Sequence, residues 1–177
     1  MKEQLQKDFD NTIRNLTLSQ KDIEIKKFYL DNFINKGFPN RKEEDWKFSD
    51  LNQIIKKNIG ELSFYSDYTS TNKVDTSAFV DGLEHNKIVF INGRIEKIDF
   101  DYEKKDQIEI IDQSETINKF NNNSSLSDLN SAFTNKSFKI VVKEGYQLTK
   151  PLIIYHTTNS KIWSKNINLR LNFELYE

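Results

Sequence analysis

Residues 167–175 read INLRLNFEL. Ile167, Leu169, Leu171, Phe173 and Leu175 fall on one face of an extended chain, with Asn168, Arg170, Asn172 and Glu174 on the other. A period of two fits a half-buried β-strand and no helix, because a helix would scatter those apolar side chains around its axis. A strand with a whole apolar face needs neighbours in a sheet and a layer packed against it. No turn, cap or trailing helix follows it, so the expectation is a sheet that continues in a native protein longer than this chain.

The same periodicity recurs upstream. Phe138, Ile140 and Val142 alternate with Lys139, Val141 and Lys143; Glu144-Gly145 turns the chain, and Lys150-Pro151 leads into LIIYH. Earlier still, IVFINGRIEKI (88–98) places Asn92-Gly93 between two strand-like runs, which predicts a hairpin with a type I′ turn.

The first 60 residues follow a helical period instead. Leu5, Phe9, Ile13 and Leu16 share one face of a first helix. Ser19, with Asp22 three residues on, caps a second helix whose stripe is Ile25, Phe28, Tyr29 and Phe33, widened by Leu30 and Ile34. The short loop between these helices predicts antiparallel packing. Gly37 ends the second helix in the left-handed conformation, and Pro39 forbids continuation. Asn40 caps a short turn with Glu43 in the reciprocal position, and Ser49 caps a helix carrying Leu51, Ile54, Ile55 and Ile59, ended by Gly60. Residues 61–87 read as a polar, irregular connection anchored by Phe64, Tyr65, Tyr68, Phe79 and Val80. A helical segment is expected over 114–120, and NNNSSLSDLN (121–130) reads as a loop; the sequons at Asn122 and Asn123 carry no meaning without a signal peptide.

Composition removes several function classes. With 26 basic and 27 acidic residues there is no overall field to hold a nucleic acid. Cysteine is absent, which excludes disulfides, thiolate nucleophiles and thiolate-held metal or iron–sulfur centres within this chain. No apolar run approaches membrane-spanning length, and the N-terminus lacks a secretory h-region, so a cytoplasmic protein with no membrane partner is the default. The 12% aromatic content still supplies side chains for a core.

The chemistry-bearing residues favour structure over catalysis. Glu43, Glu44 and Asp45 suit the positive end of a helix dipole better than a catalytic set. His156 lies in a strand with Leu152 and Ile154 on its face, and no nucleophile or metal-ligand spacing surrounds it. His85, between Glu84 and Asn86, is less informative still. The five glycines are isolated and form no phosphate loop. Arg41, Lys42 and Lys47 near Trp46 and Phe48 could suggest single-stranded nucleic acid, but three acids interrupt them. Trp46 and Phe48 are expected to pin the turn onto the preceding helices. No catalytic, cofactor-binding or metal-binding residue is assigned.

The stretch GFPNRKEEDWKFSDL (37–51) resembles the N-terminal signature of the SufD family, within the SufB/SufD superfamily of iron–sulfur cluster assembly scaffolds. Gly37, Phe38, Pro39, Arg41, Glu44, Asp45, Trp46, Lys47, Phe48, Ser49, Asp50 and Leu51 fit that pattern, with Asn40 and Phe48 where Thr and Tyr are common. IVFINGRI resembles the family's strand-turn segment, and FKIVVKEGYQLTKPLIIYH its entry into the core. The resemblance implies an α+β fold: an N-terminal helical domain (1–60), a connector with a hairpin near 88–98 (61–137), and the opening rungs of a right-handed parallel β-helix, truncated (138–177). It implies a non-enzymatic, cytoplasmic scaffold subunit of a SufBCD-type complex, partnered by a SufB-like paralogue and a SufC-like ATPase through regions mostly beyond residue 177. Clusters and ATP would be handled by the complex, with no cofactor bound by this segment. Two alternatives remain: a free-standing protein-interaction module, and a carbohydrate-active β-helix protein, which the visible Lys139, Lys143, Asn168 and Arg170 disfavour.

Overall fold

A computed structural model describes residues 2–58, 63–64, 75–113, 124–158 and 166–176. Among them are four α-helices and two small mixed sheets, an α+β fold. The chain divides into two units: Met1–Ser66 with Glu115–Asn135 and Ser164–Asn168, and Asp67–Ser114 with Lys136–Trp163 and Leu169–Glu177.

The first unit is built on α1 (Lys2–Arg14), α2 (Gln20–Lys36), α3 (Leu51–Asn58) and α4 (Ser125–Phe133). α2 begins where its cap predicts, with the Ser19 hydroxyl accepting from the Asp22 N–H at 3.2 Å. It ends at Gly37, whose N–H donates to the Phe33 carbonyl. Gly37 has φ 75° and ψ −169°. That is not the left-handed helical well but a region open essentially to glycine alone.

Three expectations here are corrected. The antiparallel α1–α2 pair is not the main packing: α2 lies along α4, and α1 meets α4 through Phe9 edge-on to Phe133 at 6.1 Å. Residues 125–130, read as loop, form most of α4, because Leu126, Leu129 and Phe133 recur at helical spacing behind a run of Asn and Ser. Finally, α3 is capped by Asp50, whose carboxylate accepts from the Gln53 N–H at 3.1 Å, and not by Ser49. Gly60, Tyr65, Tyr68, the helix expected at 114–120 and the two sequons lie outside the described residues.

The core of this unit joins Leu5, Phe9, Ile25, Tyr29, Leu30, Phe33, Phe38, Ile55, Leu129, Ala132 and Phe133. Phe64 stacks on Phe133 with centroids 3.6 Å apart. α2 also grips α4 by charge. Lys36 pairs with the buried Asp128 in the first turn of α4 at 2.9 Å. Lys26, itself 2% exposed, donates to the Ala132 and Thr134 carbonyls at the other end. Each contact opposes a helix-end partial charge with a countercharge of the right sign.

The second unit holds β1 (Asn86–Ile91), β2 (Arg94–Asp99), β3 (Ile108–Asp112), β4 (Lys136–Val142), β5 (Leu152–Thr157) and β6 (Leu169–Leu175). The expected hairpin is β1–β2, with Asn92 and Gly93 both at positive φ (53° and 81°), as a type I′ turn demands. A bulge shifts its register between Val89 and Phe90. The sheets are ordered β2-β1-β5 and β3-β4-β6. β1 runs parallel to β5, with Ile88 beside Ile154 and Phe90 beside His156. β4 runs parallel to β6, with Phe138 beside Leu171 and Ile140 beside Phe173. From β4 the chain therefore crosses to the other sheet for β5 and returns for β6.

The facing sides of the two sheets share one core: Ile88, Phe90, Phe100, Phe138 and Ile140, with Leu152, Ile154, Leu169 and Leu171 against it. The alternation read from 167–175 puts Leu169 and Leu171 on this core, whereas Phe173 and Leu175 are 51% and 71% exposed and lie outside it. A second cluster of Val89, Ile91 and Tyr155, joined by Phe79 and Ile153, covers the other side of β1 and β5.

Candidate functional site

Asn40, Glu43 and the acids after it form the expected local structure. The Asn40 N–H donates to Glu43 Oε1 at 3.1 Å, and the Lys42 N–H donates to Asn40 Oδ1 at 3.0 Å. Glu43, Glu44 and Asp45 all face solvent, with Glu44 loosely paired to Lys47 at 3.4 Å. Trp46 is half-buried. Phe48 does not pin the turn: it is 88% exposed, with the Lys47 ammonium 5.3 Å from its ring. The aromatic that seats this stretch is Phe38, which meets Phe33 edge-on at 5.0 Å.

His156 stacks flat on Phe90, with centroids 4.8 Å apart and planes 9° from parallel. Burial of that ring face lowers its pKa from the ordinary value, which favours the neutral imidazole.

His85 is the histidine that sequence reasoning set aside, yet it is 5% exposed. Its Nδ1 lies 2.6 Å from the Leu83 carbonyl and its Nε2 2.8 Å from the Tyr155 hydroxyl. A carbonyl can only accept, so Nδ1 carries a proton, and in the neutral imidazole Nε2 accepts from Tyr155. The Tyr155 oxygen in turn accepts from the Val80 N–H at 3.1 Å, and its ring packs on Phe79 at 4.4 Å. The relay holds residues 79–85 across the outer side of β1 and β5, and every polar atom in it is spoken for.

The densest polar constellation is centred on Glu103, a residue with no sequence motif around it. Its carboxylate accepts from Asn86 Nδ2 at 2.7 Å, the Tyr146 hydroxyl at 2.7 Å, the Thr149 hydroxyl and N–H at 2.9 Å each, and the Lys150 N–H at 3.1 Å. Burial by itself pushes the carboxyl up. The hydrogen bonds from Asn86, Tyr146 and the backbone of Thr149 and Lys150 outweigh it and hold the pKa at about 2. A carboxylate so saturated neither takes up a proton at neutral pH nor has a lone pair free for a ligand. It ties the turn after β2 to the turn before β5. Nothing in the sequence signalled it, since Asn86 fell within the irregular connection read over 61–87.

A groove of about 300 Å³ lies among Ile98, Phe100, Ile108 and Ile110, with Asp101 and Lys105 on its rim. Those two are paired at 4.0 Å and mostly exposed, so they place no buried charge over the apolar floor. Among the described residues, no three His, Asp or Glu side chains converge as metal ligands would, and no helix is long and apolar enough to cross a membrane. No protein-family model matches the chain, and the search of curated proteins finds no match.

Proposed function

We propose that the chain is the N-terminal part of a SufD-like scaffold subunit of an iron–sulfur cluster assembly complex. The observation that carries this reading is the stretch Gly37–Leu51, twelve of whose positions fit that family's signature. Its parts have local structural uses: Gly37 takes a glycine-only conformation, Phe38 and Pro39 are buried, and Asn40 and Glu43 close a turn. Those uses support a signature that specifies architecture and not a reaction.

The strand order supports the finer fold expectation, an opening parallel β-helix. In such a coil, successive strands visit different sheets and stack parallel on the strand one turn earlier. β4, β5 and β6 alternate between sheets in this manner, with β5 on β1 and β6 on β4. The antiparallel strands β2 and β3 lie on the opposite edges and would cap the first turn. On this reading the protein is a non-enzymatic, cytoplasmic scaffold. It would join a SufB-like paralogue and a SufC-like ATPase through parts mostly beyond residue 177, and nucleotide and cluster chemistry would belong to the complex.

The test is affinity purification of the full-length gene product, tagged at its N-terminus, from its own cells. Recovery of SufB-like and SufC-like subunits is expected; recovery of neither overturns the proposal. The exposed Phe48 favours a second reading, a free-standing interaction module, which would retain a partner lost on Phe48→Ser and recover neither of those subunits.

A further inference from the structure

Asn92-Gly93 is the only Asn-Gly pair in the chain. Such a pair can react with itself. The Gly93 amide nitrogen, on losing its proton, attacks the Asn92 side-chain carbonyl carbon, and glycine has no side chain to obstruct the approach. A bond forms between that nitrogen and that carbon. The carbon's bond to the side-chain nitrogen breaks, and the leaving nitrogen takes up the proton and departs as ammonia. The product is a five-membered succinimide, which one water molecule then opens. Cleavage at the main-chain carbonyl gives isoaspartate, and cleavage at the side-chain carbonyl gives aspartate.

The folded hairpin withholds that reaction. Ring closure needs the Gly93 nitrogen and the Asn92 side chain on the same side of the Asn92 Cα–C bond. The first central residue of a type I′ turn has φ about 60° and ψ about 30°, which puts them on opposite sides. Asn92 and Gly93 hold that conformation, with φ 53° and 81°. The surroundings resist its release. Asn92 is 3% exposed, and its N–H donates to the Thr157 carbonyl at the end of β5 at 3.0 Å. The Thr157 hydroxyl donates to the Phe90 carbonyl at 3.2 Å. Ile91, next to the turn and 4% exposed, packs in the cluster of Val89 and Tyr155. The turn must therefore leave β5 before Asn92 can rotate into the reactive geometry.

We propose that Asn92 is a deamidation site gated by the β1–β2 hairpin, closed to the reaction while the turn is formed and open to it when the turn detaches from β5. Water is the co-reactant, and the chain supplies both the nucleophile and the leaving group. The change runs one way. Isoaspartate adds a methylene to the main chain and puts a carboxylate where a buried amide stood, so the two-residue turn cannot re-form in its register. β1 is the middle strand of the β2-β1-β5 sheet, so the lesion weakens its pairing on both sides. The inference goes beyond the scaffold reading and does not rest on it.

The test incubates the purified full-length gene product near neutral pH, folded in buffer or unfolded in urea. Mass spectrometry follows the peptide that contains residue 92, and isoaspartate is told from aspartate by its separate elution. In urea, Asn92 should deamidate faster than any other asparagine. In the folded protein its rate should be at least about a hundredfold lower, because only the open fraction reacts. Ile91→Val trims one methyl group from the packing beside the turn and leaves the Asn-Gly pair intact. It should raise the rate in the folded protein about three- to tenfold and leave the rate in urea unchanged. Circular dichroism confirms that the variant is folded. Equal rates in buffer and in urea overturn the proposal, since the hairpin then gates nothing. So does a faster reaction at another asparagine in urea, or a folded-state rate that Ile91→Val leaves unmoved. Each of these results leaves the co-purification test of the scaffold reading unaffected.

Discussion

The Lys26 ammonium lies 2.5 Å from the carbonyl oxygen of Thr134, at the C-terminal end of α4. Ten residues along the same helix, Lys36 holds Asp128 in the first turn of α4. α2 therefore clamps both ends of a nine-residue helix, which is too short to be stable by itself. The Lys26 end is the buried one. Lys26→Met keeps the aliphatic stem but leaves the carbonyls of Ala132 and Thr134 without this donor. The expected loss is about 2–4 kcal/mol in urea unfolding, against less than about 0.5 kcal/mol for the exposed Lys27→Met.

Glu103 sets an acid limit on the second unit. Its carboxyl is depressed on folding from the ordinary 4.5 to about 2. A group of this kind stabilises the fold fully above its unfolded pKa, and the contribution is lost as pH falls through the folded value. About 3 kcal/mol at neutral pH should therefore fade between roughly pH 5 and pH 2. Glu103→Gln should remove about 2–4 kcal/mol at pH 7, because an amide cannot accept five hydrogen bonds. The stability gap between wild type and this variant should shrink steadily on acidification. A gap unchanged from pH 7 to pH 3 would mean that the carboxylate's charge contributes nothing.

Tyr155 joins β5 to the 79–85 segment at two points through one hydroxyl, by accepting from the Val80 N–H and meeting His85 Nε2. Tyr155→Phe keeps the ring on Phe79 but leaves both groups without that partner. Hydrogen exchange at Val80 and proteolytic cleavage within residues 75–85 should rise about tenfold, with a global loss of about 1–2 kcal/mol. Protection unchanged at Val80 would show that the Phe79 contact alone holds the segment.

What could be read in the sequence was whatever is written locally. The Ser19 cap, the Asn92-Gly93 turn and a strand over Leu169–Leu175 each depend on neighbours within a few residues, and each is present. α4 escaped because its Asn- and Ser-rich approach masks a helix that is stabilised by α2 and not by its own propensity. The Glu103 and His85 clusters escaped for a different reason. Their partners are 17–47 and 70 residues away in sequence, and no spacing rule links Glu103 to Thr149 or His85 to Tyr155. Phe48 was misjudged because an aromatic beside Trp46 reads as core, whereas Phe38 already occupies that place.

Gly37 and Phe38 separate the structural part of the signature from its exposed part. Gly37 sits at φ 75° and ψ −169°, and a Cβ placed there would meet no atom within 4 Å. Space is thus no obstacle, and any cost of substitution is conformational. Gly37→Ala should destabilise by about 1–3 kcal/mol, and Gly37→Asn should fare no better, because asparagine eases the left-handed helical well and not this region. Phe38 is 4% exposed against Phe33, so Phe38→Ala should cost about 3–5 kcal/mol. Phe48→Ser, ten residues on in the same motif, should leave the unfolding midpoint within about 0.5 kcal/mol of wild type. If thermal and urea unfolding instead rank Phe48→Ser with Phe38→Ala, the exposed ring has a cover in solution. The loss on Phe48→Ser should then depend on protein concentration, because a cover supplied by another molecule is lost on dilution.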